Sequence, residues 1–388
     1  MYQYHCLNNI SKVGLQRFSD QYRETDRFED ADAVLVRSAK MHDMEFGGKL
    51  LAIARAGAGV NNIPLEKCAE KGIVVFNTPG ANANAVKELV IASMLLASRD
   101  IVGGIEWIRA NHDDENIGKD AEKAKKQFAG TEISGKKLGI IGLGAIGQLV
   151  ANAATHLGMD VYGYDPFLSV DAAWNLSRTI RHIQDVNEIY KECDFITVHV
   201  PATDSTRGMI SREAIEMMKP GVVVMNYARD ILVDEDAMID ALKAGKVRRY
   251  MTDFANDKII NAPNTIITPH LGASTEEAED NCAEMAVKEL RDFIENGNIS
   301  HSVNYPNMNN GILRDAARLC ICHRNVKDMI RRFTRILSDE GFNIANMANK
   351  SRGDFAYTVI DLEAPVNEQV MTKIEATDGV LKARVITR

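Results

Sequence analysis

The sequence predicts an α/β protein built on parallel sheets, followed by a small βαββαβ unit at its C-terminal end. Three observations carry that expectation. Short runs rich in Val and Ile alternate with longer helical patterns along most of the chain. The runs are bounded by Gly, Pro or Asn, as suits strands buried on both faces of a parallel sheet. After a stretch dense in Asn and Pro, the last 75 or so residues change rhythm. With 388 residues, and roughly 100–200 residues per domain, two or three domains are expected.

In chain order, the strand-like runs are ADAVLVRS (31–38), KLLAIARA (49–56), GIVVFNT (72–78), KKLGIIGLG (136–144), MDVYGYD (159–165), CDFITVHV (193–200), GVVVMNY (221–227) and NTIITPH (264–270). The segments between them are long enough for crossover helices, the pattern of a doubly wound sheet. Two longer helical stretches punctuate it, 85–101 and 274–297. The second opens like a capping box, with Ser274 as cap and Glu277 reaching back; Gly297 is its C-terminal stop. The segment SVNYPNMNNG (302–311) has the composition of a linker. Beyond it come a strand (318–323), a helix (325–341), strands near 343–350 and 355–363, a helix (368–377) and a strand (381–387). That order is the ferredoxin-like split βαβ unit.

Charge and composition exclude several classes. Asp plus Glu number 54 against 46 Lys plus Arg, a net charge of −8, which argues against a nucleic-acid or polybasic membrane binder. The N-terminus MYQYHCLNNISK lacks a basic leader followed by an apolar core, so no secretory signal is expected. No stretch approaches the ~18 uninterrupted apolar residues of a membrane span. The six cysteines, Cys6, Cys68, Cys193, Cys282, Cys320 and Cys322, lack CxxC spacing and read as free thiols in a reducing cytosol. Cys320 and Cys322, in an apolar run, are expected to pack inside a strand. A cytoplasmic location and no metal are expected.

The most informative local motif is Gly142-Leu-Gly144-Ala-Ile-Gly147, led in by a strand pattern and led out by a helix pattern. Gly142 permits a tight turn, Gly144 lets the backbone approach a pyrophosphate, and Gly147 allows close packing of helix on strand. The pyrophosphate would meet the free N–H groups at the helix start. Asp165, 18 positions after Gly147, can accept hydrogen bonds from ribose hydroxyls and would repel a 2′-phosphate. NAD is therefore expected over NADP. Because the motif begins only at residue 142, another α/β domain precedes it, and the substrate is expected between the two.

Oxidation of an alcohol with such a cofactor needs a cation to orient the substrate, an acid–base group, and a carboxylate to tune that base. Arg229 follows GVVVMNYA, His270 follows NTIITP, and Asp257 follows RRYMTDF, all at C-terminal ends of expected strands, where open α/β sheets bind ligands. A carboxylate beside the His would favour the imidazolium.

Together LGIIGLGAIG, GYDP, ITVHVPATDSTRGMI, NYAR and ITPHLGAST, with VRSA, RAGAGVNNI and NTPGANANAVKEL earlier in the chain, resemble the D-2-hydroxyacid dehydrogenases. The C-terminal CICHRNV, GFNIANM and YTVIDLEAP resemble an ACT domain. The resemblance covers nearly the whole chain. It implies a Rossmann-type NAD domain (99–284) inserted in a flavodoxin-like substrate domain (1–98 and 285–305), a linker (306–316) and an ACT domain (317–388). It further implies NAD-dependent oxidation of 3-phospho-D-glycerate to 3-phosphooxypyruvate, the entry to serine synthesis, by a homodimer or homotetramer. Arg229 would hold the substrate carboxylate and carbonyl, and His270 would be the acid–base group. Gly142, Gly144, Ala145, Ile146, Gly147, Asp165, Val200, Tyr227, Asp253, His270, Gly272 and Ala273 would line the cofactor site, with Asp253 on the nicotinamide carboxamide. Arg37 and Arg55, with backbone amides around Ala56 and Gly57, would contact substrate anions, each Arg through a bidentate fork. Lys123, Lys125 and Lys126 would add to that field or form a solvated helix face. His323, Asn325 and Asn346 match positions that line amino-acid effector sites.

Three departures from the family pattern bear on function. Asp257 stands where the family has a catalytic Glu, one methylene longer. Asp230 replaces the Gly that commonly follows the Arg and brings negative charge near an anionic substrate. Lys327 and Asp328 replace the Pro-Gly of the ACT loop, which weakens the case for serine feedback. Another 2-hydroxy acid (hydroxypyruvate, glyoxylate or 2-hydroxyglutarate) is the alternative substrate. A non-catalytic NAD-sensing protein is the alternative of a different class, against which Arg229, His270 and Asp257 argue.

Overall fold

In the computed structural model, which describes residues 1–387, the apolar runs pair into three sheets. The first is parallel: β1 (Tyr2–Cys6), β2 (Tyr22–Glu24), β3 (Ala33–Val36), β4 (Ala52–Arg55) and β5 (Val74–Asn77), in the order β2-β1-β3-β4-β5. Both faces are covered, which is why its strands read as unbroken apolar runs. Leu35, Ala54 and Phe76 face one core, while Val34, Ile53 and Val75 face another.

The second sheet is also parallel, with β6 (Lys137–Ile141), β7 (Asp160–Tyr164), β8 (Arg181–His182), β9 (Phe195–Val198), β10 (Val222–Asn226), β11 (Val247–Thr252) and β12 (Thr265–Ile267). Its order is β12-β11-β10-β9-β6-β7-β8. From β6 the chain winds outward through β7 and β8, then returns to β9 on the other side. The reversal point between β6 and β9 is where doubly wound sheets open a crevice for ligands.

The third sheet is antiparallel, with β13 (Ala317–Arg324), β14 (Ile344–Arg352), β15 (Phe355–Leu362) and β16 (Val380–Thr387) in the order β14-β15-β13-β16. With the helices Met329–Asp339 and Glu368–Glu375 this is the split βαβ topology, close to the expected boundaries.

The chain divides into two compact units. One joins Met1–Asn82 to the chain from Glu276 onward; the other is Ala83–Thr275. The breaks therefore fall at the starts of the helices Ala83–Ser98 and Glu276–Asn296, earlier than the expected 98/99 and 284/285. The antiparallel sheet does not separate from the first sheet. Along β13 the side chains alternate: Leu319 and Ile321 face the unit's own helices, whereas Cys320 and Cys322 share a core with Phe76 and Phe293. The junction is also polar. Arg318, 1% exposed, forms a bidentate ion pair with its cross-strand neighbour Asp361 (2.6 and 2.9 Å) and donates to the Asn296 carbonyl (2.6 Å). Arg384 donates to the carbonyls of Phe293 and Ile294. Two cations thus cover the C-terminal end of Glu276–Asn296, where unpaired carbonyls favour positive charge.

Gly297 does end that helix, in a left-handed conformation (φ +72°). The expected capping box does not start it. The helix begins at Glu276, and the Ser274 hydroxyl donates back to the His270 carbonyl (3.4 Å). The Asn-rich connection is an ordered strap, because its side-chain amides act as a strand partner. Asn304 accepts from the Val75 N–H and donates to the Ile73 carbonyl, both at 2.9 Å, along the edge of β5. Tyr305, fully buried, donates to the Ala69 carbonyl (2.8 Å). All six cysteines are free thiols. Among the described residues no helix is long and apolar enough to cross a membrane.

Candidate active site

The turn after β6 places three glycines in three different surroundings. Gly142 has φ +95°, and a Cβ there would sit 2.6 Å from the His199 carbonyl. At Gly147 a Cβ would come within 1.9 Å of the Gly142 carbonyl. Only backbone without side chains allows so close an approach. Gly144, by contrast, faces open space: nothing lies within 4 Å of an added Cβ. It precedes the helix Ala145–His156, whose first-turn amides at Ala145 and Ile146 have no helical carbonyl to meet. Open space beside unspent amides at a helix start is the geometry that holds a phosphate.

Asp165, at the end of β7, ties this turn to its neighbour. One carboxylate oxygen accepts from the Leu143 N–H and the other from the Phe167 N–H, both at 2.9 Å. A carboxylate offers about four acceptor positions, so capacity remains for ribose hydroxyls. Val200 lies against Gly142. Beside it His199, which the sequence did not single out, places Nε2 3.0 Å from the Thr197 hydroxyl, while its buried Nδ1 has no partner. Desolvation pushes this imidazole down to about 4. These residues fit a dinucleotide. Tyr227 contributes differently from the expectation: its ring is buried and its hydroxyl lies 2.5 Å from Ser93 Oγ, within the core. Only its backbone is left for the strand end.

The loops after β10, β11 and β12 carry the other candidates. Asn226, the buried last residue of β10, donates to the Arg229 carbonyl (2.8 Å) and so shapes the loop. The Arg229 guanidinium donates to the Ala228 carbonyl (2.6 Å). Asp230 turns onto its own backbone, accepting from the Ile231 N–H (2.8 Å), and no ion pair joins it to Arg229 among the described residues. Asp253, 3% exposed, accepts from the Thr268 hydroxyl (2.5 Å) and from the N–H groups of Leu271 and Gly272 (both 2.7 Å). It is a clamp on the His270 loop, next to Ala273, with at most one acceptor position to spare for a carboxamide. His270 is exposed, with φ +58° and its ring edge-on to Phe254 at 5.3 Å. Asp257 is exposed too, and no hydrogen bond or ion pair connects it to His270 among the described residues. The structure therefore does not assemble the expected pair. The adjacent Asn256 donates to Glu235 (2.6 Å).

In the first unit, Arg37 and Arg55 follow β3 and end β4. Arg37 is ion-paired with Glu279 (2.6 Å) on the long helix, a partner no local motif announced. Arg55 Nε donates to the Arg37 carbonyl (3.0 Å), and its guanidinium lies over Gly57, where a Cβ would be 1.8 Å away. The amides of Ala56 and Gly57 are spent on the Val36 carbonyl (2.8 Å) and the Thr78 hydroxyl (2.7 Å). The anion-binding amides expected there are thus not available. Lys123 and Lys125 pair with Asp120 and Glu122 on a solvated helix face.

The expected effector residues are not brought together. His323 is buried, with Nδ1 on the Arg324 carbonyl (2.8 Å) and Nε2 on Thr358 Oγ1 (2.8 Å). Asn325 donates to the Gly353 carbonyl (2.9 Å). His323 pairs with Ala356 and Asn346 with Asp361, positions roughly 17 Å apart along β15 at about 3.4 Å per residue.

A glycine turn opening on a helix start at the crevice of a doubly wound sheet, with Arg229 and His270 after the strands on either side of β11, defines a dinucleotide-binding dehydrogenase scaffold. Residues 91–272 match the NAD-binding domain of the D-isomer specific 2-hydroxyacid dehydrogenases. The chain is similar to D-3-phosphoglycerate dehydrogenase of Haemophilus influenzae, at 30% identity over 354 residues, 88% of this chain and 83% of that one. It is 37% identical over 311 residues to D-3-phosphoglycerate dehydrogenase of Methanocaldococcus jannaschii, which covers 78% of this chain but only 57% of that longer relative. Among solved structures, the NAD+-bound 3-phosphoglycerate dehydrogenase of Entamoeba histolytica superposes with a TM-score of 0.61 at 28% identity, over 78% of this chain and 98% of that one. The chain belongs to the D-isomer specific 2-hydroxyacid dehydrogenase family.

Proposed function

We propose that the protein is an NAD-dependent dehydrogenase that oxidises 3-phospho-D-glycerate to 3-phosphooxypyruvate, the first step of L-serine synthesis in the cytoplasm. The observation that carries the proposal is the placement of Arg229 after β10 and His270 after β12, the strands on either side of β11, in a sheet whose glycine turn fits NAD. NAD, when bound, supplies the hydride acceptor. Arg229 would bind the substrate carboxylate and hold the carbon to be oxidised. His270, neutral, would take the proton from the C2 hydroxyl at its ring nitrogen. Asp253 would keep His270 in place through the Leu271 and Gly272 amides. Phosphate would be met by Arg55 and Arg37, the latter after release from Glu279.

The test is NADH formation with 3-phosphoglycerate against malate, glycerate and 2-hydroxyglutarate; faster turnover of a phosphate-free acid would overturn the proposed substrate. One observation favours that second reading. Glu279 neutralises Arg37, and the Ala56 and Gly57 amides are already spent, which suits an acid with less negative charge, such as hydroxypyruvate or glyoxylate in the reverse direction. We further assign the C-terminal unit to the ACT type, acting in assembly rather than serine sensing, since His323 is turned inward and Asn346 lies apart from it. The exposed Ile101, Ile105 and Ile108 on the helix Ile101–Ala110 fit a homodimer or homotetramer.

A further inference from the structure

At the end of the seven-stranded sheet opposite the glycine turn, β10, β11 and β12 begin around a cavity of about 390 Å³. Its wall includes Ser98, Gln127, Gly221, Arg248, Arg249 and Asn264. The two arginines are consecutive on β11, and on a regular strand they would point to opposite faces. Here the ladder slips: Val222 pairs with Val247 and Val223 with Arg249, so Arg248 is left over in a bulge. Bulges re-aim side chains in this way, and both guanidinium-bearing residues reach one cavity.

Their charges are handled differently. Arg249 is paired, its Nη2 2.9 Å from Asp100 Oδ1. Arg248 has no ion-pair partner among the described residues, and its Nε is buried without a hydrogen-bond acceptor. Asp194, the carboxylate that acts on it through space, is already held by Lys219 Nζ (2.6 Å) and the Lys137 N–H (2.9 Å). The helices Ala83–Ser98 and Glu235–Lys243 end beside the cavity, and their negative ends make the site tolerant of guanidinium charge. They do not supply an acceptor for Nε. A second cavity of about 370 Å³ shares Asp100, Ala129 and Gly130 with the first and adds Arg99 and Lys125. The combined wall is cationic in a chain that is acidic as a whole.

We propose that this cavity is a binding site for a small oxyanion of the phosphate or dicarboxylate class, held by the Nε–Nη edge of Arg248. An Arg fork matches two oxygens of either group. The site stands apart from the glycine turn and from Arg229 and His270, and does not depend on the proposed reaction.

The experiment is isothermal titration of the full chain in the presence of NADH, with inorganic phosphate in one series and malonate in the other. The expected result is a saturable site for at least one anion, weakened about tenfold or more by Arg248→Gln and unchanged by Arg229→Gln. Preference for phosphate or for malonate then separates a phosphorylated ligand from a dicarboxylate. The proposal is overturned if neither anion binds in the millimolar range, or if Arg248→Gln binds like the parent chain. Arg248→Lys, which keeps the charge and loses the fork, provides the second variant should Arg248→Gln unfold: affinity equal to the parent's would also overturn it.

Discussion

The turn after β6 and the loops after β11 and β12 lie at the same edge of one sheet, yet they are built on opposite plans. The first is fixed by backbone contacts: a Cβ at Gly142 or Gly147 would collide with a carbonyl, and Asp165 bridges the turn to β7. The second is fixed at its root and loose at its tip. Asp253 takes three donors from the loop that carries His270, while the His270 and Asp257 side chains stand exposed. The geometry of the glycine turn is thus set by the fold itself, whereas the acid–base chemistry proposed for His270 would rest on an imidazole whose backbone is clamped and whose ring meets no carboxylate among the described residues.

Four tests probe that contrast, from the largest expected effect to the smallest. His270→Ala should cut turnover about 10²–10⁴-fold, the usual worth of a positioned acid–base group, with NADH affinity kept; activity within tenfold of the parent would remove His270 from the chemistry. Gly147→Ala should destabilise the chain by about 1–3 kcal/mol and weaken NADH binding, because the Gly142 carbonyl cannot retreat. Gly144→Ala should leave thermal stability unchanged and lower only NADH affinity, since its Cβ would enter open space. Equal melting temperatures for the two variants would sink the distinction between the glycines.

A third test concerns His199, beneath the turn. Its folded-state pKa is depressed to about 4 from 6.5, so the unfolded chain binds the extra proton first as pH falls. Stability is therefore present above pH 6.5 and is lost as pH falls from there through about 4. Discounted for the ring's partial contact with solvent, the contribution is about 1 kcal/mol. Denaturant titrations between these limits should show a shallower pH slope in His199→Asn; an unchanged slope would assign the acid sensitivity elsewhere. Last, Asp257→Asn should alter kcat by less than about threefold, in line with an exposed surface change. A fall of a hundredfold would mean that Asp257 swings onto His270 during turnover.

What was legible in the sequence follows from where the constraint is local. Strands buried on both faces leave unbroken Val and Ile runs, and glycines required by close approach leave fixed spacing. The βαββαβ order could be drawn with strand ends within two residues, because each strand carries its own period, although the first helix starts four residues later than expected. What escaped depends on residues distant in sequence or on side-chain reach. Glu279 meets Arg37 only because the long helix returns to the first sheet. Asn304 looked like linker composition, yet it serves as a surrogate strand along β5. Tyr227 sits at the right strand end, but its ring turns inward to Ser93. Asp257 follows its strand end as expected, yet no hydrogen bond or ion pair joins it to His270 among the described residues. The inward face of β13 gave no hint of its partner, because Cys320 and Cys322 suit any apolar surface.

The first unit is discontinuous, and that has a consequence for synthesis. Its sheet is complete by Asn77, but the helix that covers one face, through Leu290 and Phe293, begins only at Glu276. At about 5–20 residues per second, a ribosome needs on the order of 10–40 s to make the intervening Ala83–Thr275. For that interval Leu35, Val74 and Phe76 await their cover, and at its end the second unit has all its residues while the covering helix is still to be made. The order of folding is therefore nested: the inner unit has all its residues first, and the outer one can finish only after the helix Glu276–Asn296 has been made. A nascent chain stalled before Glu276 would present a hydrophobic sheet to solvent, and is the species on which chaperones would be expected to act.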